Sequence, residues 1–402
     1  MRDLTGGGAA TVGVVGAGAM GTGIAQVAAS RGHRVVLCDA RPGAAEGAGK
    51  TIDTLLSALV AKGRLTDSSR RETLSRIELG ATPLGNDLSA YRECDIVIEA
   101  VVEDLEVKQT LFRNLASALP ADAVLATNTS SLSVAAIASS CAHAERVLGV
   151  HFFNPPQVMP LVEIIPWLGS DDAVVESVDA LVASWGKTTV RASDTPGFIV
   201  NRVARPFYGE ALRQYDEGIA DFATIDWAVR DLGGFRMGPF ELMDFIGNDV
   251  NYAVTRSVFE SFSFDPRYRP SLTQRRLVDA GFLGRKTKRG YYDYRDGAAR
   301  PEPLKDEAHG RRILERILVM LINEAVDAVF WRVAKPRDLE LAMTKGVNYP
   351  KGLLEWGNEL GFGYVLDQLD RLRADYAEER YRPSPLLRRL ARESAEGGSA
   401  LV

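Results

Sequence analysis

The segment TVGVVGAGAMGTGIAQVAASRGHRVVLCDA, residues 11–40, constrains this chain more than any other. A short apolar run meets a cluster of glycines, continues into small residues at helical spacing, and returns to a second apolar run that closes on an acid. About 30 residues in that order spell a strand, a helix and a second, parallel strand. Within them GAGAMG at 16–21 has the glycine spacing of a dinucleotide-binding turn. Gly16 permits the tight turn, Gly18 lets backbone N–H groups approach a pyrophosphate, and Gly21 brings helix and strand together, with the positive end of the helix dipole facing the phosphates. Asp39 ends the second strand, where a carboxylate accepts both ribose hydroxyls and repels a 2′-phosphate. NAD is therefore the expected cofactor, and Arg41 leaves NADP open.

The pattern recurs after a charged helical stretch from Pro42 to Ser75: CDIVIEAV (94–101), AVLATNTS (123–130), RVLGVHFF (146–153) and LVEIIP (161–166). Short β-rich runs alternating with helices predict an α/β fold, a Rossmann-type, doubly wound and mostly parallel sheet. At Asp194-Thr195-Pro196-Gly197 the pattern breaks, and helices are expected over Val200–Glu217, Thr224–Leu232, Pro239–Phe262 and Thr273–Ala280. The two helical parts repeat. Glu210-Ala211 recurs as Glu324-Ala325, Ile225-Asp226 as Leu339-Glu340, Gly238 as Gly352, Glu241 as Glu355 and Gly247 as Gly361, all at an offset of 114, and YRPS at 268–271 returns at 381–384. The expected organisation is an NAD-binding domain at 1–193, a helical domain at 194–295, a Gly-, Pro- and charge-rich linker at 296–310, and a second, duplicated helical domain at 311–402.

Composition narrows the function classes. With 46% hydrophobic and 25% charged residues and a net charge of −5, the chain has the balance of a globular protein and no basic block for nucleic acid or an anionic membrane. Three cysteines, Cys38, Cys94 and Cys141, are odd in number and far apart, which points away from disulfides and toward a reducing, cytoplasmic compartment. The opening Met1-Arg2-Asp3 followed by Gly6-Gly7-Gly8 reads as a flexible tail rather than a signal peptide. The apolar stretch Ile313–Trp331 is interrupted by Glu315, Arg316, Asn323, Glu324 and Asp327, so a core helix is expected and no membrane span. Four histidines, His33, His143, His151 and His309, show no ligand spacing, so no metal is expected.

Candidate chemistry gathers at strand ends. His151 closes one predicted strand and Glu163 lies on the next. If the strands are neighbours, the carboxylate holds one imidazole nitrogen while the other faces a substrate hydroxyl, the arrangement of a general base. Spacing alone leaves open a core histidine and an edge-strand glutamate. Ser130, in TNTSS, stands where strand C-termini face a crevice, or serves only its turn. Asn201, after TPGF, faces a substrate or simply opens a helix.

Seven blocks in order, GAGAMGTGIA, IEAVVEDLEVK (98–108), TNTSSL (127–132), HFFNPPQVMPLVEII (151–165), DTPGFIVNR (194–202), MGPFELMDFIG (237–247) and GRKTKRGYYDY (284–294), resemble the L-3-hydroxyacyl-CoA dehydrogenase family. The resemblance implies NAD-dependent oxidation of an (S)-3-hydroxyacyl thioester, most simply of coenzyme A, or the reverse reduction. It makes His151 the base for the 3-hydroxyl and Glu163 its electrostatic partner, with Ser130, Asn154 and Asn201 on the substrate. It sets Gly16, Gly18, Met20, Gly21, Asp39, Glu103, Lys108 and Lys286 around NAD, and Lys62 against coenzyme A. The chain departs from the family at Leu55, where a serine accompanies that lysine, and at Pro160 and Pro166, where relatives often carry lysine. Fewer cations keep alternatives in view: a hydroxyacyl group on a carrier protein, a free hydroxy or sugar acid, or a non-catalytic, crystallin-like NAD-binding protein. In this family the helical domain commonly forms the dimer contact, so the appended copy, which lacks a counterpart of GRKTKRGYYDY, is expected to pack on the first as an intramolecular pseudo-dimer. A monomer follows, with a homodimer as the alternative.

Overall fold

Eight short strands form one sheet in the order β3-β2-β1-β4-β5-β6-β7-β8. They are β1 Thr11–Val15, β2 Arg34–Cys38, β3 Ile77–Leu79, β4 Ile96–Glu99, β5 Val124–Thr127, β6 Val147–Phe152, β7 Leu161–Ile165 and β8 Thr188–Arg191. The computed structural model describes residues 4, 9–80, 87–395 and 401, and the Gly6-Gly7-Gly8 opening lies outside the described residues. All neighbouring strands are parallel except β6 and β7. The first six follow the doubly wound order of dinucleotide-binding sheets, with the direction of winding reversing between β1 and β4. Alternate side chains feed two cores: Val12 and Val14 of β1 join one, Val15 the other.

The chain divides into two compact units, Met1–Thr195 and Pro196–Val402. The sequence reading of the first unit missed both edge strands. β3, mostly exposed, and β8, mostly half-buried, are three and four residues long and have no apolar run to read. The stretch from Pro42 to Ser75 is two helices, Ala44–Ala61 and Asp67–Ser75, because Gly63 turns left-handed at φ 65° and the Thr66 hydroxyl caps the second by accepting from Ser69 N–H.

In the second unit the expected helices are cut into shorter pieces. Pro239–Phe262 becomes Pro239–Ile246 and Asn248–Ser261, with Gly247 between them at φ 106°. Val200–Glu217 becomes Val200–Val203 and Arg205–Asp216, where Pro206 removes a donor from the first turn of the second helix. Thr224–Leu232 is the helix Phe222–Trp227 running into a π-helical turn at Ala228–Leu232. The linker is shorter than 296–310. The Asp306 carboxylate accepts from His309 N–H at 3.0 Å and starts a helix at Glu307, while Arg300 bonds Glu241 and Leu304 N–H bonds Thr224, laying the connector along the first copy. That helix, Glu307–Phe330, is the buried one expected around Ile313–Trp331. Among the described residues no helix is long and apolar enough to cross a membrane.

The repeat is visible atom by atom. Asp226 accepts from the backbone N–H groups of Phe240 and Glu241 at 2.8 and 2.9 Å, and Glu340 from those of Leu354 and Glu355 at 2.9 and 3.2 Å. Burial pushes Asp226 up to about 7 and Glu340 upward as well, against those hydrogen bonds. A π-turn recurs at Ala342–Gly346, and Gly361 repeats the Gly247 break at φ 84°.

The two copies pack on each other reciprocally. Arg202 Nε donates to Glu324 at 2.7 Å and Arg316 Nε to Glu210 at 3.0 Å, the same pair read in both directions. The Tyr268 hydroxyl donates to Glu324 and the Tyr381 hydroxyl to Glu210, while Arg267 and Arg380 complete the two clusters. Residue i meeting j while j meets i is the mark of a twofold interface, here between two segments of one chain. Glu324 is fully buried, and removing one partner from such a cluster strands a charge at a cost of about 3–5 kcal/mol. The charges that break the apolar run at Arg316, Glu324 and Asp327 are thus the polar centre of this contact.

Candidate active site

The two ladders of β6 place its candidate residue. β6 pairs in parallel with β5 on one side and antiparallel with β7 on the other, with His151 directly opposite Glu163. Residues opposite each other in an antiparallel ladder point to the same face, so the side chains meet: His151 Nδ1 lies 2.7 Å from Glu163 Oε2. Glu163 is fully buried, His151 is 6% exposed, and the Phe153 ring packs on the imidazole with centroids 4.6 Å apart.

Beyond β4 and β5 lies a second cluster. Glu103 Oε1 accepts from Thr129 Oγ1 at 2.7 Å, from the N–H and hydroxyl of Ser130 at 2.9 and 3.2 Å, and from Ser131. Burial raises the Glu103 carboxyl, but the Lys108 charge and the Thr129 and Ser130 hydrogen bonds outweigh it and hold the pKa below the usual range. Lys108 is buried, with Nζ 2.5 Å from Glu99 Oε1 and 3.4 Å from Glu103. Glu99, which also accepts from Thr127 Oγ1 and Val101 N–H, was missed in the sequence. Its one signal is an acid closing an otherwise apolar strand.

The glycines of the first turn have separate tasks. Gly16 sits at φ 102°, and a Cβ there would lie 2.6 Å from the Ala100 carbonyl oxygen. At Gly21 a Cβ would fall 1.8 Å from Gly16 O. Gly18 is different: its φ of −72° suits any residue, and a Cβ would meet no protein atom within 4 Å. Neither backbone nor packing asks for glycine at 18; what its small size leaves is room at the N-terminus of the helix Ala19–Ser30, where orphan N–H groups attract an anion. A cavity of about 680 Å³ opens there, lined by Gly18, Arg41, Pro42, Thr51, Leu55 and Asn154 among others. Asp39 bonds two of the residues that line it, accepting from Ala17 N–H at 2.7 Å and clasped by the exposed Arg41 guanidinium. Against burial, the Arg41 and Ala17 hydrogen bonds hold Asp39 below its usual pKa, a lasting acceptor beside the cavity. A glycine cradle, a helix N-terminus and a carboxylate one strand away fit a dinucleotide.

The structure thus brings together His151 with Glu163, Ser130 with Glu103 and Lys108, and Gly18 with Asn154. Met20 packs half-buried against the sheet core. Lys62 caps the helix Ala44–Ala61, exposed, and is not among the cavity-lining residues. Asn201 and Lys286 belong to the second unit. Asn201 lies in the helix Val200–Val203, and Lys286 Nζ bonds Asp249 at 2.6 Å.

Comparison with known proteins gives these residues a context. The family model for the 3-hydroxyacyl-CoA dehydrogenase NAD binding domain matches residues 11–195, and that for the 3-hydroxyacyl-CoA dehydrogenase C-terminal domain matches 197–294 and again 313–400. The 3-hydroxyadipyl-CoA dehydrogenase of Escherichia coli is 40% identical over 95% of this chain and 97% of its own length. The 3-hydroxybutyryl-CoA dehydrogenase of Bradyrhizobium diazoefficiens is 41% identical over 73% of this chain and 98% of its own. A crystal structure of 3-hydroxybutyryl-CoA dehydrogenase from Escherichia coli matches with a TM-score of 0.91 at 38% identity, covering 97% of this chain and all of that one.

The open space at Gly18 yields a prediction. Gly18→Ala leaves the thermal midpoint within about 2 °C, because its Cβ meets nothing in the protein, but weakens NAD binding by about 10-fold or more, read by titration calorimetry. Unchanged affinity would place the dinucleotide elsewhere.

Proposed function

The chain belongs to the 3-hydroxyacyl-CoA dehydrogenase family, NAD-dependent oxidoreductases acting on a CH–OH group, and from that premise we propose which of its residues do the work. The observation that carries the proposal is the buried His151–Glu163 contact at 2.7 Å. A carboxylate can only accept, so the shared proton sits on Nδ1 and leaves the Nε2 lone pair for the substrate's 3-hydroxyl. His151 takes the hydroxyl proton as the carbon is oxidised, and the imidazolium that forms is stabilised by the negative charge of Glu163. In the reverse direction it returns that proton to the 3-oxo group. Ser130, oriented by Glu103, and Asn201 hydrogen-bond the substrate's oxygens.

Gly16, Gly18, Met20, Gly21 and Asp39 hold NAD on the first turn and the second strand, with Glu103, Lys108 and Lys286 contributing charge. When bound, NAD supplies the hydride acceptor. Lys62 and Asn154 take the coenzyme A side. The substrate is a short 3-hydroxyacyl-CoA; the relatives are named for four- and six-carbon acyl groups, the latter ending in a carboxylate. Carrier-protein and sugar-acid substrates find no particular support, and the non-catalytic alternative gives way to an enzyme family. The reciprocal contact between the copies supports a chain that satisfies its dimer face internally and works as a monomer. Free thiols at Cys38, Cys94 and Cys141 suit a reducing, cytoplasmic compartment.

Acetoacetyl-CoA reduction by NADH tests the roles. His151→Ala lowers kcat by about 10²–10⁴ with the circular dichroism spectrum unchanged, the usual worth of a general base. Glu163→Gln, which can still bond the ring but carries no charge, falls between that variant and the wild type. Near-normal turnover in folded His151→Ala would remove it from the chemistry. Light scattering should return the mass of one chain, 43.8 kDa, and a mass of two chains would refute the monomer.

A further inference from the structure

Four buried arginines of the second unit, Arg202, Arg267, Arg316 and Arg380, each meet a carboxylate, but Arg205 does not. It is 7% exposed, and among the described residues no carboxylate pairs with it. Its guanidinium has one hydrogen bond, from Nη1 to Thr255 Oγ1 at 3.1 Å; it lies 4.9 Å over the Tyr208 ring, and its buried Nε finds no acceptor. Burying a cation without a counter-charge is costly, and proteins avoid it unless something else supplies the charge. Arg146 of the first unit, equally buried and also without a carboxylate, shows the usual escape: it donates to the carbonyls of Ala116, Pro120 and Ala123. Arg205 has no such set. A second unsatisfied group stands near it. The Tyr349 hydroxyl is buried without a partner, within electrostatic reach of Arg205 and Tyr208, and its ring packs on Phe207 and Phe235. A cation and a free hydroxyl donor without a neighbouring acid make a receptor for an anion, and a carboxylate matches the planar guanidinium.

The duplication shows that the fold does not need this polarity. At the offset of 114, Arg205, Tyr208 and Thr255 correspond to Val319, Ile322 and Leu369, all fully buried in the second copy. The same positions pack with apolar side chains there. The polar set exists only in the copy that carries Asn201. Arg205 opens the next helix four residues beyond Asn201, across the break at Ala204. That separation suits an acyl chain whose oxygen functions reach Asn201 and whose far end lies a few methylenes away.

We propose that Arg205, with the hydroxyl of Tyr349, binds a carboxylate at the far end of the acyl chain, so that the enzyme selects 3-hydroxyacyl-CoA substrates built on dicarboxylic acids. This rests on the reading of Asn201 as a substrate contact. It also gives the second copy a part in specificity, since Tyr349 comes from it.

The test compares kcat/KM for 3-oxoadipyl-CoA and 3-oxohexanoyl-CoA, equal in length and differing in the terminal carboxylate, with acetoacetyl-CoA as a check on the underlying reading. The wild type is expected to favour 3-oxoadipyl-CoA by about 100-fold or more, the scale on which a buried polar receptor rejects an analogue lacking its partner. Arg205→Met collapses that ratio, and Tyr349→Phe, which removes a single oxygen and spares the packing, lowers it about 10-fold. A wild-type ratio near one overturns the proposal, as does a fall of both substrates together in Tyr349→Phe and Arg205→Met. Wild-type turnover of acetoacetyl-CoA without selectivity defeats this proposal alone; no turnover of any of the three defeats the assignment of the site beneath it.

Discussion

The proposed active site depends on the single antiparallel ladder in an otherwise parallel sheet. Eight residues join β6 to β7, too few for the crossover of a dozen or more that a parallel partner requires, so the chain turns back and the strands run antiparallel. In that register His151 faces Glu163 across the ladder, on the same side of the sheet and within hydrogen-bond distance. A slip of one residue would send one of the two side chains to the opposite face and separate base from carboxylate. The apolar residues alternating around both, Val150, Phe152, Val162 and Ile164, are all in the core and fix the register. Packing of the core and placement of the proposed base are one constraint.

The second unit solves a different problem. An interface that could be shared by two chains is closed within one, through clusters that meet the same partners in both directions around Glu210 and Glu324. The duplicated copy keeps the elements that this packing needs, the paired carboxylates Asp226 and Glu340 at helix N-termini and the glycine breaks at 247 and 361. It has replaced Arg205, Tyr208 and Thr255 with aliphatic side chains. The copy retains what packs on the first and, of the proposed carboxylate receptor, supplies Tyr349 alone.

Much of this was legible from residues alone, for identifiable reasons. The βαβ turn, the central strands and the break at Thr195-Pro196 rest on local patterns of glycine, proline and apolar runs, and those patterns hold in the structure. The two edge strands were invisible because Ile77–Leu79 and Thr188–Arg191 need no apolar run at the sheet margin. Helix breaks at Gly247 and Ala204 were absorbed into longer helices because the apolar period continues across them. Glu99 had only the weak signal of an acid closing an apolar strand and Arg205 had none, since what marks them is burial with, or without, a partner of opposite charge, a property of three dimensions.

In the proposed mechanism His151, held by Glu163, exchanges a proton with the substrate's 3-oxygen. A crystal structure of the protein with NAD⁺ and acetoacetyl-CoA tests it most directly. The 3-oxygen should lie within about 2.6–3.2 Å of His151 Nε2 while Nδ1 remains on Glu163. A bound substrate whose 3-oxygen is met by another side chain, with the imidazole turned away, would contradict it.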